Sequence, residues 1–484
     1  VKIDDARNVN EIFDGISYSK GSCLVRFLTM YLGKNKFRDG MRQYMNDNKW
    51  KNTTSIDLWN AFSTQTKDDT VLNIMKDWTS QMGYPVITVS KTDKGIKLQQ
   101  NKYLKTGPNT DPALWIIPVQ IYVTDDQETA DISILMNKTK EMEIQGNFKQ
   151  VIVNPDREGF YRVMYDNIDI NMEELHISTQ KQIVSDLVAM CFTGYQSISK
   201  FFSVITKIDI SSMTNYNFLS TILSNTIRTY TLLKNHSELQ LLVKRYIEKY
   251  QLRRVIELLE KIGWEDLPTD SINDANLRPL LINFLGQLDN KYAISKAREL
   301  FEKKTYKYIL PIIGMHARRE EYHKLLSLFD TETINNPQIK DDIIEALGEI
   351  RDPDILDEII SDVLWNKIRE QDVWHQMKVL SLNKHATTKL WNYITFRNGN
   401  GEYENWNRIL KKFIPGSSGL TYIVKVIAGG FTTNIELDKY IAFFTERPVG
   451  TDMSIRQTIE STKSKITSID RIVADSEFKS LLSK

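Results

Sequence analysis

Histidine pairs are the first feature of this sequence that could do chemistry, because imidazole is a common zinc ligand in proteins. No two of the six histidines are four residues apart, so the His-Glu-x-x-His pattern of a zinc helix is absent. His316 and His323 come closest, but on one helix they would lie about 10.5 Å apart along its axis. Zinc–nitrogen bonds of roughly 2.0–2.1 Å cannot bridge that gap. We therefore expect packing or solvated positions, and no metal ligand, for His176, His236, His316, His323, His375 and His385.

The run FDGISYSKGSCLVRFL, from Phe13 to Leu28, is the strongest catalytic candidate. The sequence otherwise lacks a phosphate-binding glycine loop, a Gly-x-Ser-x-Gly elbow and a Cys-His pair visible by spacing. The run places Tyr18 at the start of an amphipathic helix, with a lysine and a glycine two and three residues later. It resembles the Tyr-x-Lys-Gly signature of the zinc aminopeptidases of the His-Glu-x-x-His gluzincin family, of the aminopeptidase N and tricorn interacting factor type. Further segments resemble this family in the same order: LWNAFS at Leu58–Ser63, MKDWTSQMGYPVITV at Met75–Val89 and REGFYRVMYD at Arg157–Asp166.

The resemblance implies that Tyr18 is a catalytic residue. Peptide hydrolysis passes through a tetrahedral intermediate with a negatively charged oxygen, which zinc and a phenol hydroxyl stabilise in this family. A phenol with an ordinary pKa of about 10 donates at neutral pH without adding a charge. By its position alone Tyr18 would be interpreted as a core aromatic, and the surrounding motif favours catalysis. Lys20 and Gly21 are expected to be structural, since a helical glycine, costing up to about 1 kcal/mol against alanine, indicates close backbone packing.

The sequence departs from the family at the metal site. In such enzymes the zinc helix, the downstream glutamate ligand, the general-base glutamate and the loop that recognises a free amino terminus all precede the tyrosine signature. The zinc cofactor is therefore expected to be bound by a missing upstream half, with no ligand in this chain. We predict that this polypeptide alone is inactive and that activity returns with that half. Chelator-sensitive release of N-terminal residues by an isolated preparation would contradict this.

Charge and composition exclude several classes of partner. Lysine plus arginine (63) nearly balances aspartate plus glutamate (62), and a formal charge of +1 disfavours nucleic acid and anionic lipid. The longest apolar runs, such as Leu114 to Val119, are far shorter than the about 20 residues that cross a bilayer. Cys23 and Cys191 lie among apolar neighbours, which predicts buried free thiols and a reducing, cytoplasmic location. With neither a signal peptide nor an initiator methionine, the start is expected to be truncated.

Hydrophobic periodicity predicts a mainly α protein with a small β-sandwich, in three domains. Residues 1–85 read as helical, and the resemblance makes them the C-terminal part of a thermolysin-like catalytic domain. Over residues 86–166 the period changes to two, and seven short segments predict an antiparallel β-sandwich. From 167 to 484 the helical period returns with short connections, which predicts an α-solenoid domain that would enclose the substrate like a bowl.

Two functions stay open on the sequence. One is that of a zinc metallo-aminopeptidase, a hydrolase that releases N-terminal residues from peptides, to which this portion supplies Tyr18 and the enclosing helices. The other is a non-catalytic peptide- or protein-binding scaffold, favoured by the missing metal ligands and the many plain helices. About one zinc ion per chain of the longest natural product would support the enzyme, and none the scaffold. By analogy with aminopeptidases that trim products of proteases such as tricorn, the partners would be peptides, the missing N-terminal half and a larger intracellular protease system.

Overall fold

The computed structural model of the chain describes residues 16–67, 69–125, 129–166, 168, 170–208, 215–304, 307–332, 337–447 and 449–483. The described residues fall into two compact units, one ending at Phe201 and the other running from Phe202 onward. No helix among these residues combines the length and the apolar composition that a membrane span requires.

A π-helical turn and four α-helices make up the first part of the first unit. The π-helical turn spans Ile16–Lys20 and leads directly into α1. The four helices are α1 (Gly21–Leu32), α2 (Lys34–Asp47), α3 (Ser55–Thr66) and α4 (Thr70–Ser80). All four lie where the helical period predicts them.

Local sequence explains where two of these helices begin and end. α1 buries one stripe at helical spacing, from Leu24 to Leu32. It ends at Gly33, whose φ of 77° lies in the region that favours glycine. α3 begins at a capping box, in which Thr54 and Asp57 each accept a hydrogen bond from the other's backbone N–H.

Two expectations about α1 are wrong. Among the residues that the structure describes, a Cβ placed on Gly21 would meet no atom of another element within 4 Å, so none of their backbones packs closely against that turn. Cys23 is exposed, whereas Cys191 is buried, although both are free thiols. The physical reason is helical rotation: consecutive side chains point about 100° apart, so Cys23 leaves the buried stripe on which its neighbour Leu24 lies.

Seven strands follow, and all seven predicted segments are confirmed. They are β1 (Pro85–Thr92), β2 (Gly95–Lys102), β3 (Ile116–Thr124), β4 (Thr129–Asn137), β5 (Glu141–Gln145), β6 (Gln150–Val153) and β7 (Arg162–Asp166). One sheet has the order β5-β2-β1-β7 and the other the order β4-β3-β6. Both sheets contribute to one hydrophobic cluster with α1, α3 and α4, in which Trp78 and Trp115 are fully buried. The sheets form the small β-sandwich of the predicted fold class.

The sequence predicted antiparallel pairing throughout the sandwich, and that prediction is wrong for one pair of strands. β1 and β7 run parallel, with Val86 opposite Arg162 and Ser90 opposite Asp166. β7 follows β6 of the other sheet through a helical turn at Pro155–Arg157, so it does not reach β1 by a tight hairpin. Because only hairpin-linked neighbours are forced to be antiparallel, this crossover allows the parallel direction.

Helices make up the rest of the described chain, as the returning helical period predicts. They are α5 (Ile177–Thr193), α6 (Ile198–Lys207), α7 (Tyr216–Leu232), α8 (Ser237–Ile247), α9 (Arg253–Ile262), α10 (Ile272–Gln287), α11 (Lys291–Glu302), α12 (Leu310–Met315), α13 (Arg319–Glu332), α14 (Pro337–Glu349), α15 (Pro353–Glu358), α16 (Leu364–Asn366), α17 (Val373–Leu382), α18 (Thr387–Ile394), α19 (Glu404–Lys412), α20 (Ser418–Val426), α21 (Asn434–Thr445), α22 (Asp452–Ala474) and α23 (Ser476–Leu482). The chain is therefore mainly helical, as predicted.

Within the second unit, one series of helices packs successively, each against the next: α7, α10, α12, α14, α17, α20 and α22. Packing of each helix against its neighbours in the series is typical of an α-solenoid. The solenoid, and the domain boundaries at 85/86 and 166/167, stay predictions.

Candidate active site

Tyr18 lies in the π-helical turn that leads into α1, and 62% of its surface is exposed. Single π-helical turns occur frequently at functional sites. Because the ring is not enclosed by the hydrophobic core, the interpretation of Tyr18 as a core aromatic is wrong. An exposed phenol can reach a ligand, and the catalytic role of Tyr18 stays a prediction.

Lys20 connects this turn to the end of α4. Its Nζ donates to the carbonyl oxygen of Gln81 at 2.8 Å and to that of Gly83 at 3.3 Å. Both acceptors lie just beyond the C-terminal end of α4, where free carbonyl groups and the helix dipole favour a cation. Burial lowers the pKa of Lys20. The contact is of the structural kind that the sequence predicts for Lys20.

The same end of α4 is attached to strand β3. Trp78 is fully buried, and its Nε1 donates to the carbonyl oxygen of Ile116 at 2.9 Å. Asp77 accepts the backbone N–H of Ile116 at 2.9 Å and pairs with Lys138 Nζ at 2.8 Å. Gln81 Nε2 donates to Asp77 Oδ1, the oxygen that also pairs with Lys138, at 2.7 Å. The helix end that holds Lys20 is therefore itself bonded to the sandwich.

Sequence reasoning did not single out Asp77, although this residue lies in the Met75–Val89 segment that resembles the family. The available signal was an aspartate among the buried residues of α4, directly beside Trp78. An unpaired buried carboxylate is costly, so an acid at such a position must find donors. Here it finds three, from a backbone amide, a side-chain amide and an ammonium group.

A second buried ion pair joins β7 to α5. Arg162 Nη1 lies 2.8 Å from Asp186 Oδ1, and Asp186 Oδ2 accepts the backbone N–H of Val163 at 3.1 Å. Burial disfavours the charge on Arg162, but the attraction of Asp186 holds the pKa of this guanidinium above its ordinary value. This ion pair is a structural contact between β7 and α5.

The histidines form no metal site in the part of the chain that the structure describes. His316 and His323 do not share a helix, because α12 ends at Met315 and α13 begins at Arg319. A single continuous helix through both residues, as their spacing suggested, is therefore wrong. Across the described residues, no group of three or more His, Cys, Asp or Glu side chains could hold a metal ion. These residues therefore do not fit a zinc site.

Two family models match the chain. The ERAP1-like C-terminal domain matches residues 150–464, and the Peptidase family M1 domain matches residues 1–78. The chain is 28% identical to Aminopeptidase 2 of Candida albicans, over 97% of this chain and 52% of that protein. It is 26% identical to the Alanine/arginine aminopeptidase of Saccharomyces cerevisiae, over 97% of this chain and 55% of that protein. Against the Glutamyl aminopeptidase of Sus scrofa the identity is 24%, over 96% of this chain and 50% of that protein.

These matches agree with the order of the segments along the chain. The match to the peptidase domain includes the Tyr18 run and continues through α4 to Trp78. The match to the C-terminal domain covers well over half of the sequence. The chain spans about half the length of the curated relatives it matches. The resemblance inferred from the sequence is confirmed: this chain belongs to the M1 aminopeptidase family and corresponds to the C-terminal part of such an enzyme.

Proposed function

We propose that this chain is the C-terminal portion of an aminopeptidase that releases N-terminal residues from peptides, and that Tyr18 is its oxyanion donor. The observation that carries the proposal is the position of Tyr18: it lies in the Tyr-x-Lys-Gly run, within the match to the peptidase domain, with 62% of its surface exposed. Its hydroxyl can therefore meet a substrate. A tyrosine buried in the hydrophobic cluster could not do so.

The proposed role of Tyr18 is to donate one hydrogen bond to the substrate in the transition state. When the peptide carbonyl is attacked, its oxygen gains negative charge, and a hydrogen bond to that oxygen stabilises the transition state more than the ground state. The Tyr18 hydroxyl would donate this bond as a neutral group. A donor that is already oriented before the substrate arrives is most effective, because it needs no reorganisation during the reaction.

We further propose that the enzyme uses zinc and that its ligands lie outside this chain. This accords with the described residues, which offer no suitable ligand set. On this proposal the 484-residue chain alone is inactive. Release of amino acids from an aminoacyl reporter by the purified chain, sensitive to a chelator, would contradict it. In the longest natural form of the protein, about one zinc ion per chain is expected, and absence of zinc would favour the alternative, a non-catalytic scaffold.

The helices after the sandwich are proposed to enclose the peptide substrate as an α-solenoid. The successive packing of the series from α7 to α22 supports this arrangement. The proposed location is the cytoplasm, where a reducing environment keeps thiols such as Cys23 and Cys191 unpaired.

The test of the catalytic proposal is Tyr18→Phe in the longest natural form of the protein. Loss of one oxyanion donor is expected to lower kcat by about 10²- to 10³-fold on an aminoacyl reporter, with KM little changed. Tyr31→Phe is the matched control, since it removes a phenol hydroxyl from α1, the helix that follows the turn of Tyr18, and its kcat should equal that of the parent. A Tyr18→Phe enzyme within a few-fold of the parent would show that Tyr18 is not the oxyanion donor.

A further inference from the structure

The bond network around Lys20 leads from the β-sandwich to the turn that contains Tyr18. Lys20 Nζ bonds the carbonyl oxygens of Gln81 and Gly83, at 2.8 and 3.3 Å. These two acceptors follow α4 and are more than sixty positions away in sequence, so the contact is a tertiary one. Tyr18 lies two residues before Lys20 in the same π-helical turn.

The acceptors of Lys20 have little freedom of their own. Asp77 and Trp78 bond both the N–H and the carbonyl group of Ile116 on β3, at 2.9 Å each. Gln81 joins this network through its side-chain amide, which bonds Asp77 at 2.7 Å. Since the end of α4 is anchored in this way, a segment that is hydrogen-bonded to it is restrained as well. Lys20 makes such hydrogen bonds for the exposed π-helical turn.

We propose that Lys20 is a positioning residue, which holds the π-helical turn against the end of α4 and thereby orients the Tyr18 hydroxyl. The inference rests on the proposed function of Tyr18 as the oxyanion donor. Lys20 itself does not touch the substrate. Its ammonium group is engaged by two backbone carbonyls, and its effect on the reaction passes through Tyr18. Removal of the two bonds takes away a restraint on the turn, so the donor is less well oriented when the substrate binds.

A double-mutant cycle in the longest natural form of the protein tests this role. Lys20→Met is expected to lower kcat by about ten- to a hundredfold, with KM within about threefold of the parent, because misplacement of a catalytic group by ~1 Å costs up to 10²-fold. Lys20→Arg, which retains the charge and the donors, should recover much of this loss. In a Tyr18→Phe background, Lys20→Met should change kcat by less than about twofold, because there is no hydroxyl left to orient.

Amide hydrogen exchange supplies a second readout that does not depend on activity, and it uses the 484-residue chain itself. Peptides covering residues 16–24 should exchange faster in Lys20→Met than in the parent. Lys36→Met, which removes an exposed lysine from α2, is the control and should leave these peptides unchanged.

The possible outcomes separate the two proposals. If Tyr18→Phe has little effect on kcat, Tyr18 is not the oxyanion donor. The proposal that Lys20 orients such a donor then fails as well, even if amide hydrogen exchange shows that Lys20 restrains the turn. If Tyr18→Phe is strongly impaired but Lys20→Met lowers kcat equally in both backgrounds, Lys20 acts independently of Tyr18, and the positioning proposal alone is overturned. An unchanged exchange rate over residues 16–24 in Lys20→Met also overturns it.

Discussion

Replacing Glu349 with glutamine is expected to stabilise the protein near pH 8 and to have little effect near pH 4. Glu349 is the last residue of α14 and is partly buried, one helical turn after Glu345. Burial, together with repulsion from Glu345, raises the pKa of Glu349 from an ordinary 4.5 to about 7, although Arg351 opposes the change. Among the described residues, no hydrogen bond offsets this burial. The ionised carboxylate is therefore a destabilising group at neutral pH.

The raised pKa of Glu349 defines the pH range over which the stability changes and the size of that change. Below 4.5 the carboxyl group is protonated in the folded and the unfolded chain and costs nothing. Between 4.5 and about 7 the folded chain binds more protons than the unfolded chain, so stability falls as the pH rises. Above about 7 the full penalty applies, and it corresponds to roughly 3 kcal/mol of unfolding free energy. Because Glu345 also has a raised pKa and titrates with Glu349, this figure is an upper limit for the single variant.

Urea denaturation followed by circular dichroism, at about pH 4, 6 and 8, measures this effect. The gain of Glu349→Gln over the parent should grow from nearly zero at the lowest pH to its largest value at the highest. Asp341→Asn is the matched control, since it neutralises an exposed acid on the same helix, and it should show a difference near zero throughout. A gain of equal size at every pH, or a loss at about pH 8, would refute the reasoning, because burial would then not penalise the ionised form.

Two further substitutions test contacts that tertiary structure creates, with thermal and chemical denaturation as the measurements. Asp186→Ala leaves the largely buried guanidinium of Arg162 without its carboxylate partner and is expected to cost about 3–5 kcal/mol. A loss below about 1 kcal/mol would contradict the importance of this pair. Gly314→Ala would place a Cβ 2.0 Å from the carbonyl oxygen of Ala346 and is expected to cost about 1–3 kcal/mol or more by forcing α12 away from α14. Gly399→Ala, where a Cβ meets nothing within 4 Å, should be neutral, and equal losses in both glycine variants would show that the close approach is unimportant.

Much of the secondary structure could be predicted from the sequence because its causes are local. The helical stripe of α1, the glycine at its end and the capping box of α3 depend on residues within about one turn of each other. The seven strands follow from alternation over short segments. The candidate site could be located for the same reason, since Tyr18 and Lys20 lie in one short run that matches a family signature.

The predictions that were wrong depended on how the chain and its side chains are oriented in three dimensions, which a local sequence pattern does not specify. Periodicity does not say that β7 arrives from another sheet, so the parallel pairing with β1 could not be foreseen. Apolar neighbours do not say toward which side Cys23 turns, and regular spacing does not reveal the break between His316 and His323. Each error treated a local pattern as if it fixed a three-dimensional relation.

The sequence by itself therefore determined the family, the mainly helical class with its small sandwich, and the identity of the tyrosine that is proposed to act. Only the tertiary structure decided that Tyr18 is exposed, that Lys20 bonds Gln81 and Gly83, and that Asp77 anchors the same helix end to β3. The physical reason is that element formation depends on neighbouring residues, whereas these contacts join groups about forty to sixty positions apart, whose meeting depends on how every intervening element packs.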